Sequence, residues 1–210
     1  MKKWLLTLFV ISVFTFVACQ KEIDANIIGD YQPVSAGSEW NYTSSATGNF
    51  TILSLGDDTT INAKKYYSFE RSSGGASGIT TKLYRSKLNS VYRQIGASAP
   101  FTTIVESIYL KDTAVGVSWT DTINVGGVNN YHKYTIAARE GQRVVNGEKY
   151  FKVIEVDYQL SIASPLGNIN AGNGKNYFAK NVGSVESILS IGFGGVNFSD
   201  TSRLMSFRSQ

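Results

Sequence analysis

The sequence holds one cysteine and one histidine in 210 residues. A lone thiol closes no intramolecular disulfide, and a lone imidazole supports no histidine-cluster metal site. Proline is scarce, at three, and charged residues make up only 17%. With 12% aromatics, that balance excludes a disordered chain and a coiled coil. Twenty basic residues face sixteen acidic ones. Lys2 and Lys3 lie in a segment read below as cleaved, so the mature balance is 18 − 16, or +2. That is too even for a nucleic-acid partner. At 42% apolar the chain has material for one sizeable core.

Several chemistries lack their motif. There is no Gly-x-Ser-x-Gly nucleophile turn, no Asp-x-Asp-x-Asp-Gly calcium loop and no glycine loop ending in Lys-Ser/Thr. Gly192-Phe193-Gly194-Gly195 stands in strand context and reads as a bend or bulge. No catalytic, cofactor or metal residue is assigned on these grounds.

What is present begins with an address. Lys2-Lys3 precede a mostly apolar run from Trp4 to Ala18, short of the ~20 residues a permanent span needs. It ends Phe16-Val17-Ala18-Cys19. This ending resembles the lipobox of bacterial lipoprotein signals, with Ala18 and Cys19 in the matching places. The resemblance implies a signal peptide over 1–18, lipid attached at Cys19, and a lipidated tether over 19–30. Gln20-Lys21-Glu22-Ile23-Asp24 is similar to the export signal of Bacteroidetes surface lipoproteins. It implies an outer-membrane location facing the cell surface, with the periplasmic face as the alternative.

From about Tyr31 onward, short runs of Tyr, Thr, Val, Ile and Phe alternate with Gly, Asn, Ser and Asp clusters, the pattern of an all-β chain. Between Lys149 and Ile162 the even positions are apolar nearly throughout, while Glu155, Asp157 and Gln159 alternate with them. One face should meet a core and the other water. Val185, Ser187, Leu189, Ile191 and Phe193 suggest a second such stripe.

The chain also repeats itself. Gly37-Ser38-Glu39-Trp40 returns as Gly116-Val117-Ser118-Trp119, Ile61–Tyr67 as Val145–Phe151, and Tyr84–Val91 as Phe178–Val185, at offsets of 79, 84 and 94. Two similar halves, about 31–110 and 111–210, each supply five or six strands to a single domain over 31–210. The expected fold is a curved antiparallel sheet or partly closed barrel, with a β-sandwich as the alternative.

Tyr31, Pro33, Gly37, Trp40 and Tyr42, together with Tyr177-Phe178-Ala179-Lys180-Asn181-Val182-Gly183-Ser184-Val185, resemble landmarks of a group of uncharacterised Bacteroidetes lipoproteins. That resemblance supports the fold and implies no activity.

Candidate side chains are few. Trp40 and Trp119, at matching places in the repeat, read as core anchors, with a sugar-stacking platform as the rival reading. Tyr66, Tyr84, Tyr92, Tyr109, Tyr131 and Tyr134 look exposed enough to line a groove, though tyrosine is also simply a favoured strand residue. His132 has no oriented Ser-Asp partners in the pattern. Glu155 and Asp157 sit two apart on a solvent face, as surface acids do. Asp58-Thr59, Asp112-Thr113 and Asp121-Thr122 resemble the O-glycosylation signal of exported Bacteroidetes proteins, which marks Thr59, Thr113 and Thr122. The expected role is a non-catalytic binding or accessory module for a glycan, a lipid or an envelope protein, held to the membrane by its N-terminal lipid. A structural subunit of an outer-membrane assembly is the alternative, and a hydrolase a more remote one.

Overall fold

The computed structural model describes residues 29–74, 78–97, 104–193 and 195–210. The signal peptide, Cys19 and the tether up to residue 28 lie outside the described residues. The strands are β1 (Glu39–Ser44), β2 (Gly48–Ile61), β3 (Lys64–Ser73), β4 (Thr80–Leu88), β5 (Val91–Ala97) and β6 (Ile104–Lys111), then β7 (Ser118–Val125), β8 (Val128–Val145), β9 (Glu148–Ile162), β10 (Ile169–Ala179), β11 (Gly183–Phe193) and β12 (Val196–Arg208). The two halves of the sequence thus contribute six strands each.

All twelve belong to one antiparallel sheet in the order β6-β5-β4-β3-β2-β1-β12-β11-β10-β9-β8-β7. Every strand pairs with its sequence neighbour except at two places. β1 pairs with β12, Trp40 opposite Phe207 and Tyr42 opposite Leu204. β6 and β7, consecutive in the chain, form the two edges. The sheet therefore curls into a barrel that is nearly closed along one seam, and the sandwich alternative is set aside.

Turn chemistry explains why the hairpins fall where they do. Two-residue hairpins of type I′ need positive φ at both central positions. Asn62-Ala63 (49° and 59°), Asn89-Ser90 (47° and 63°) and Asn146-Gly147 (50° and 86°) supply it between β2 and β3, β4 and β5, and β8 and β9. Asparagine tolerates that region best among residues with a side chain, so the repeated Asn marks the turns. Gly192 and Gly195, read as part of a bend or bulge, bracket the β11–β12 connection, with Gly195 at φ 83°.

Alternation then sorts the faces. Trp40, Tyr42, Ile52, Phe69 and Leu204 point inward into one cluster. Tyr92, Leu110, Trp119, Ile136, Ile154, Val156 and Phe178 form another. Tyr109 of β6 and Phe178 of β10 meet across the interior, ring centroids 5.8 Å apart. The stripe along β9 is interrupted once. Lys152 has φ 50° and is skipped by the β8 register, where Gly141 faces Val153 and Gln142 faces Phe151. Lys152 is an extra, bulged residue, not part of the apolar face its even number suggests.

The outer face is covered too. Beyond their bulges, the tips of the β2–β3 and β8–β9 hairpins leave the ladders of their outer neighbours, β4 and β10, and lie over the three strands that follow. Lys64 reaches Glu106 of β6 at 2.7 Å. In the other half Arg143 bonds Glu186 of β11, and Asn146 Nδ2 donates to the Leu204 carbonyl of β12 at 2.8 Å. Glu186, almost fully buried, also accepts from Arg203 Nε at 2.7 Å. Tyr66 and Tyr150, equivalent in the repeat, are the buried aromatics of these tips. Tyr66 looks exposed in the sequence, but the folded-over tip covers it and buries it completely. Tyr92 is a second correction, since it points inward onto Tyr31, with ring centroids 6.4 Å apart.

Candidate functional site

The chain ahead of β1 enters the barrel at the end bearing the Asn62, Asn89 and Asn146 turns and corks it. Tyr31 is buried; its hydroxyl donates to the Lys152 carbonyl at 3.1 Å and its N–H donates to Tyr92 Oη at 3.4 Å. The Lys152 bulge frees that carbonyl from the ladder. Burial, aided by Asp112 and Glu140, pushes the Tyr31 hydroxyl up to about 12, so it stays protonated as a donor. Asp30 and Asn181 clasp each other: Asp30 N donates to Asn181 Oδ1 (3.1 Å) and Asn181 N to Asp30 O (2.6 Å). Gly183 passes so close beneath Tyr31 and Trp40 that a Cβ there would lie 3.4 Å from the Tyr31 carbonyl, at a φ of 98°. The two landmark segments, 31–42 and 177–185, are therefore one interlocked structure. A cleft of about 860 Å³ opens beside it, between Asp30, Tyr150, Val182 and Phe207.

Above the cork the inward face turns polar. Gln32, nearly buried, accepts at Oε1 from Arg85 Nη1 (3.1 Å) and from the Tyr109 hydroxyl (3.0 Å). Arg85 Nε donates to Gln94 Oε1 at 3.0 Å. Its guanidinium lies 5.1 Å from the Phe69 ring and 5.9 Å from that of Tyr109. Two residues along β3 from Phe69, Arg71 rests 4.2 Å over Phe50, which is itself stacked on Tyr42 at 4.9 Å. Burial lowers the pKa of Arg71, Asp200 opposes that, and Arg85 adds to it. Sequence reasoning missed both arginines, because a basic residue in an alternating strand looks like a solvent-facing one.

The other inward polar groups are occupied. Asp200 accepts from Ser44 Oγ at 2.7 Å, and from Ser45, Ser202 and the Ala46 N–H. Burial favours its neutral form, but these bonds outweigh it and hold its pKa below the ordinary value. His132 Nδ1 and Tyr158 Oη are hydrogen bonded at 2.9 Å, and burial lowers the imidazole pKa.

The remaining candidates resolve individually. Trp40 and Trp119 are both buried, Trp40 donating to the Val182 carbonyl and Trp119 Nε1 to the Ile108 carbonyl at 2.8 Å. Tyr109 and Tyr134 face inward, and Tyr134 stacks on Trp119 at 5.3 Å. Tyr84 and Tyr131 are half-buried. The six tyrosines do not form one groove. Glu155 and Asp157 share one cation, Lys175, at 2.5 and 2.9 Å, which holds the lysine charged. Thr122 is exposed, while Thr59 and Thr113 are half-buried. The aspartate before each is engaged by a neighbour. Asp58 pairs with Lys65, Asp112 with Arg139, and Asp121 Oδ2 accepts from the Ile108 N–H at 2.6 Å. No family model, curated protein or solved structure matches the chain.

Proposed function

We propose that the protein is a lipid-anchored, non-catalytic binding module of the outer membrane, carried on Cys19 and facing the cell surface. The observation that supports this reading is the cork. Asp30 to Val34 fill the barrel end from which the tether leaves, so this reading has a ligand approach the inward side chains from the opposite end. Roughly eleven residues from Cys19 to Asp30 span at most ~40 Å, which keeps the corked end close to the bilayer. Leu88 and Val115 stand exposed at that end, beside Lys87 and Lys111, a composition suited to a lipid interface. At the far end Leu166 is wholly exposed, and Val128, Ile169 and Phe198 are also open to solvent. Two or three acyl chains at ~0.8 kcal/mol per buried CH₂ give near-permanent attachment.

The test is cell fractionation of the wild type and Cys19→Ser, with protease added to intact and to lysed cells. The wild type should stay in the membrane fraction after a high-salt wash and be digested on intact cells, and the variant should move to the soluble fraction. Membrane retention of the serine variant would overturn the anchor. Protection until lysis would put the module on the periplasmic face.

A further inference from the structure

We infer that the inward face of β3 and β4 is an anion-binding subsite, in which Arg71 and Arg85 receive the carboxylate, sulfate or phosphate group of an organic ligand entering from the barrel end opposite the cork. This deepens the binding-module reading, on which it rests, by naming the ligand's chemistry.

Three observations carry it. Both arginines face inward: Arg71 follows Tyr67 and Phe69 on one side of β3, Arg85 follows Leu83 on one side of β4, and those three pack on the interior cluster. Both remain partly open to solvent. Among the described residues neither has a carboxylate within the 4.0 Å of an ion pair, whereas Arg93, Arg139, Arg143, Arg203 and Arg208 each do.

Each guanidinium also has its face held and N–H groups left over. Arg71 has its Cζ 4.2 Å over the Phe50 ring and donates to no side chain among the described residues. Arg85 donates from Nε to Gln94 and from Nη1 to Gln32, both neutral amides, and keeps its Nη2. A planar guanidinium fixed by stacking presents its remaining N–H groups as a ready fork for an oxyanion. Two such forks, half out of water, repel one another until an anion arrives between them. Asp200, the acid whose charge acts on Arg71, is already satisfied by three serines and a backbone N–H. Phe50, Phe69 and Leu83 lie on the same inward face as apolar neighbours, which fits an anionic group carried on a larger organic frame.

The experiment is titration calorimetry on the full-length protein in a non-ionic detergent, at fixed ionic strength in sodium chloride. The probes are hexanoate, a trigalacturonate and inorganic phosphate. One of them should bind with one-to-one stoichiometry, at least tenfold more weakly in Arg71→Gln and Arg85→Gln, with partial recovery in Arg71→Lys. Hexanoate would indicate a lipid-like acid, trigalacturonate an acidic glycan, and phosphate a headgroup or free anion. Arg71→Gln removes no side-chain hydrogen bond among the described residues and should keep the wild-type near-ultraviolet circular dichroism. If Arg85→Gln fails to fold, Arg71→Gln alone decides. Binding of no probe, or binding indifferent to Arg71→Gln, overturns the inference. Fractionation is read separately: an anchored protein that binds none of the three loses the subsite and keeps the anchor, and the reverse result does the opposite.

Discussion

Trp40 donates its indole N–H to the carbonyl of Val182, 142 residues away in the chain, at 2.5 Å. The bond joins the first strand to the β10–β11 turn, directly under the cork formed by Tyr31 and Pro33. Its ring is held between Phe69 (6.0 Å) and Phe207 (5.2 Å), so one side chain ties β1, β3, β12 and the turn together.

Trp40→Phe keeps most of the packing and strands the Val182 carbonyl, which should cost about 1–3 kcal/mol. Trp40→Ala also opens a cavity and should cost about 3–5 kcal/mol. Urea titration followed by tyrosine fluorescence orders the two; equal losses would deny the hydrogen bond any weight.

Where β6 meets β7, side chains stand in for a backbone ladder. Asp121 accepts from the Ile108 N–H and Trp119 donates to the Ile108 carbonyl, satisfying both main-chain groups of one edge residue. Asp121→Ala should destabilise the protein by about 1–3 kcal/mol and raise hydrogen exchange at the Ile108 amide ahead of amides in the β1–β12 pair. Unchanged exchange there would show that the seam needs no such clasp.

His132 titrates below its ordinary 6.5 because burial penalises the charged imidazole. The unfolded chain therefore binds the proton more tightly, so this residue's contribution to stability falls as pH drops through 6.5 toward the depressed folded value. In His132→Gln the stability curve should be flatter between about pH 7 and 5 than in the wild type, as read by thermal melts across that range. Parallel curves would mean that the imidazole is not the titrating group.

Glu186 is buried between Arg143 and Arg203, and Arg143 also stacks 3.9 Å over Tyr177. Glu186→Gln should cost about 2 kcal/mol, less than the roughly 3–5 of a fully buried pair because both guanidiniums reach water. Loosening should appear first as faster exchange in the β8–β9 tip. A variant as stable as wild type would show that packing alone holds that tip down.

Local chemistry made much of this legible. The all-β class, the Asn turns, the paired halves and the burial of Trp40 and Trp119 all follow from alternation, turn residues and repetition. What escaped was non-local. Pairing of Tyr42 with Leu204 leaves no mark in either segment, since the register between chain ends is set by the whole barrel. Tyr66 and Tyr92 alternate with polar residues as exposed tyrosines would, and only the folded-over tip and the cork decide their burial. Arg71 and Arg85 were invisible for the converse reason, because a polar residue pointing inward produces the same alternation as one pointing out.

The pairing of β1 with β12 also sets an order of events. Glu39 pairs with Arg208, so β1 has only β2 beside it until β12 has been made. The cork too waits on distant residues, because Asn181 and Gly183 form its socket. The hairpins can close locally, yet the step that joins the halves waits on residues at opposite ends of the sequence, a slow, high-contact-order event. Loss of residues 204–210 would remove Leu204, Phe207 and four of the six pairs of that ladder, leaving most of β1 as a third open edge. The barrel thus stays open between its two halves until β12 meets β1, however early the hairpins have formed.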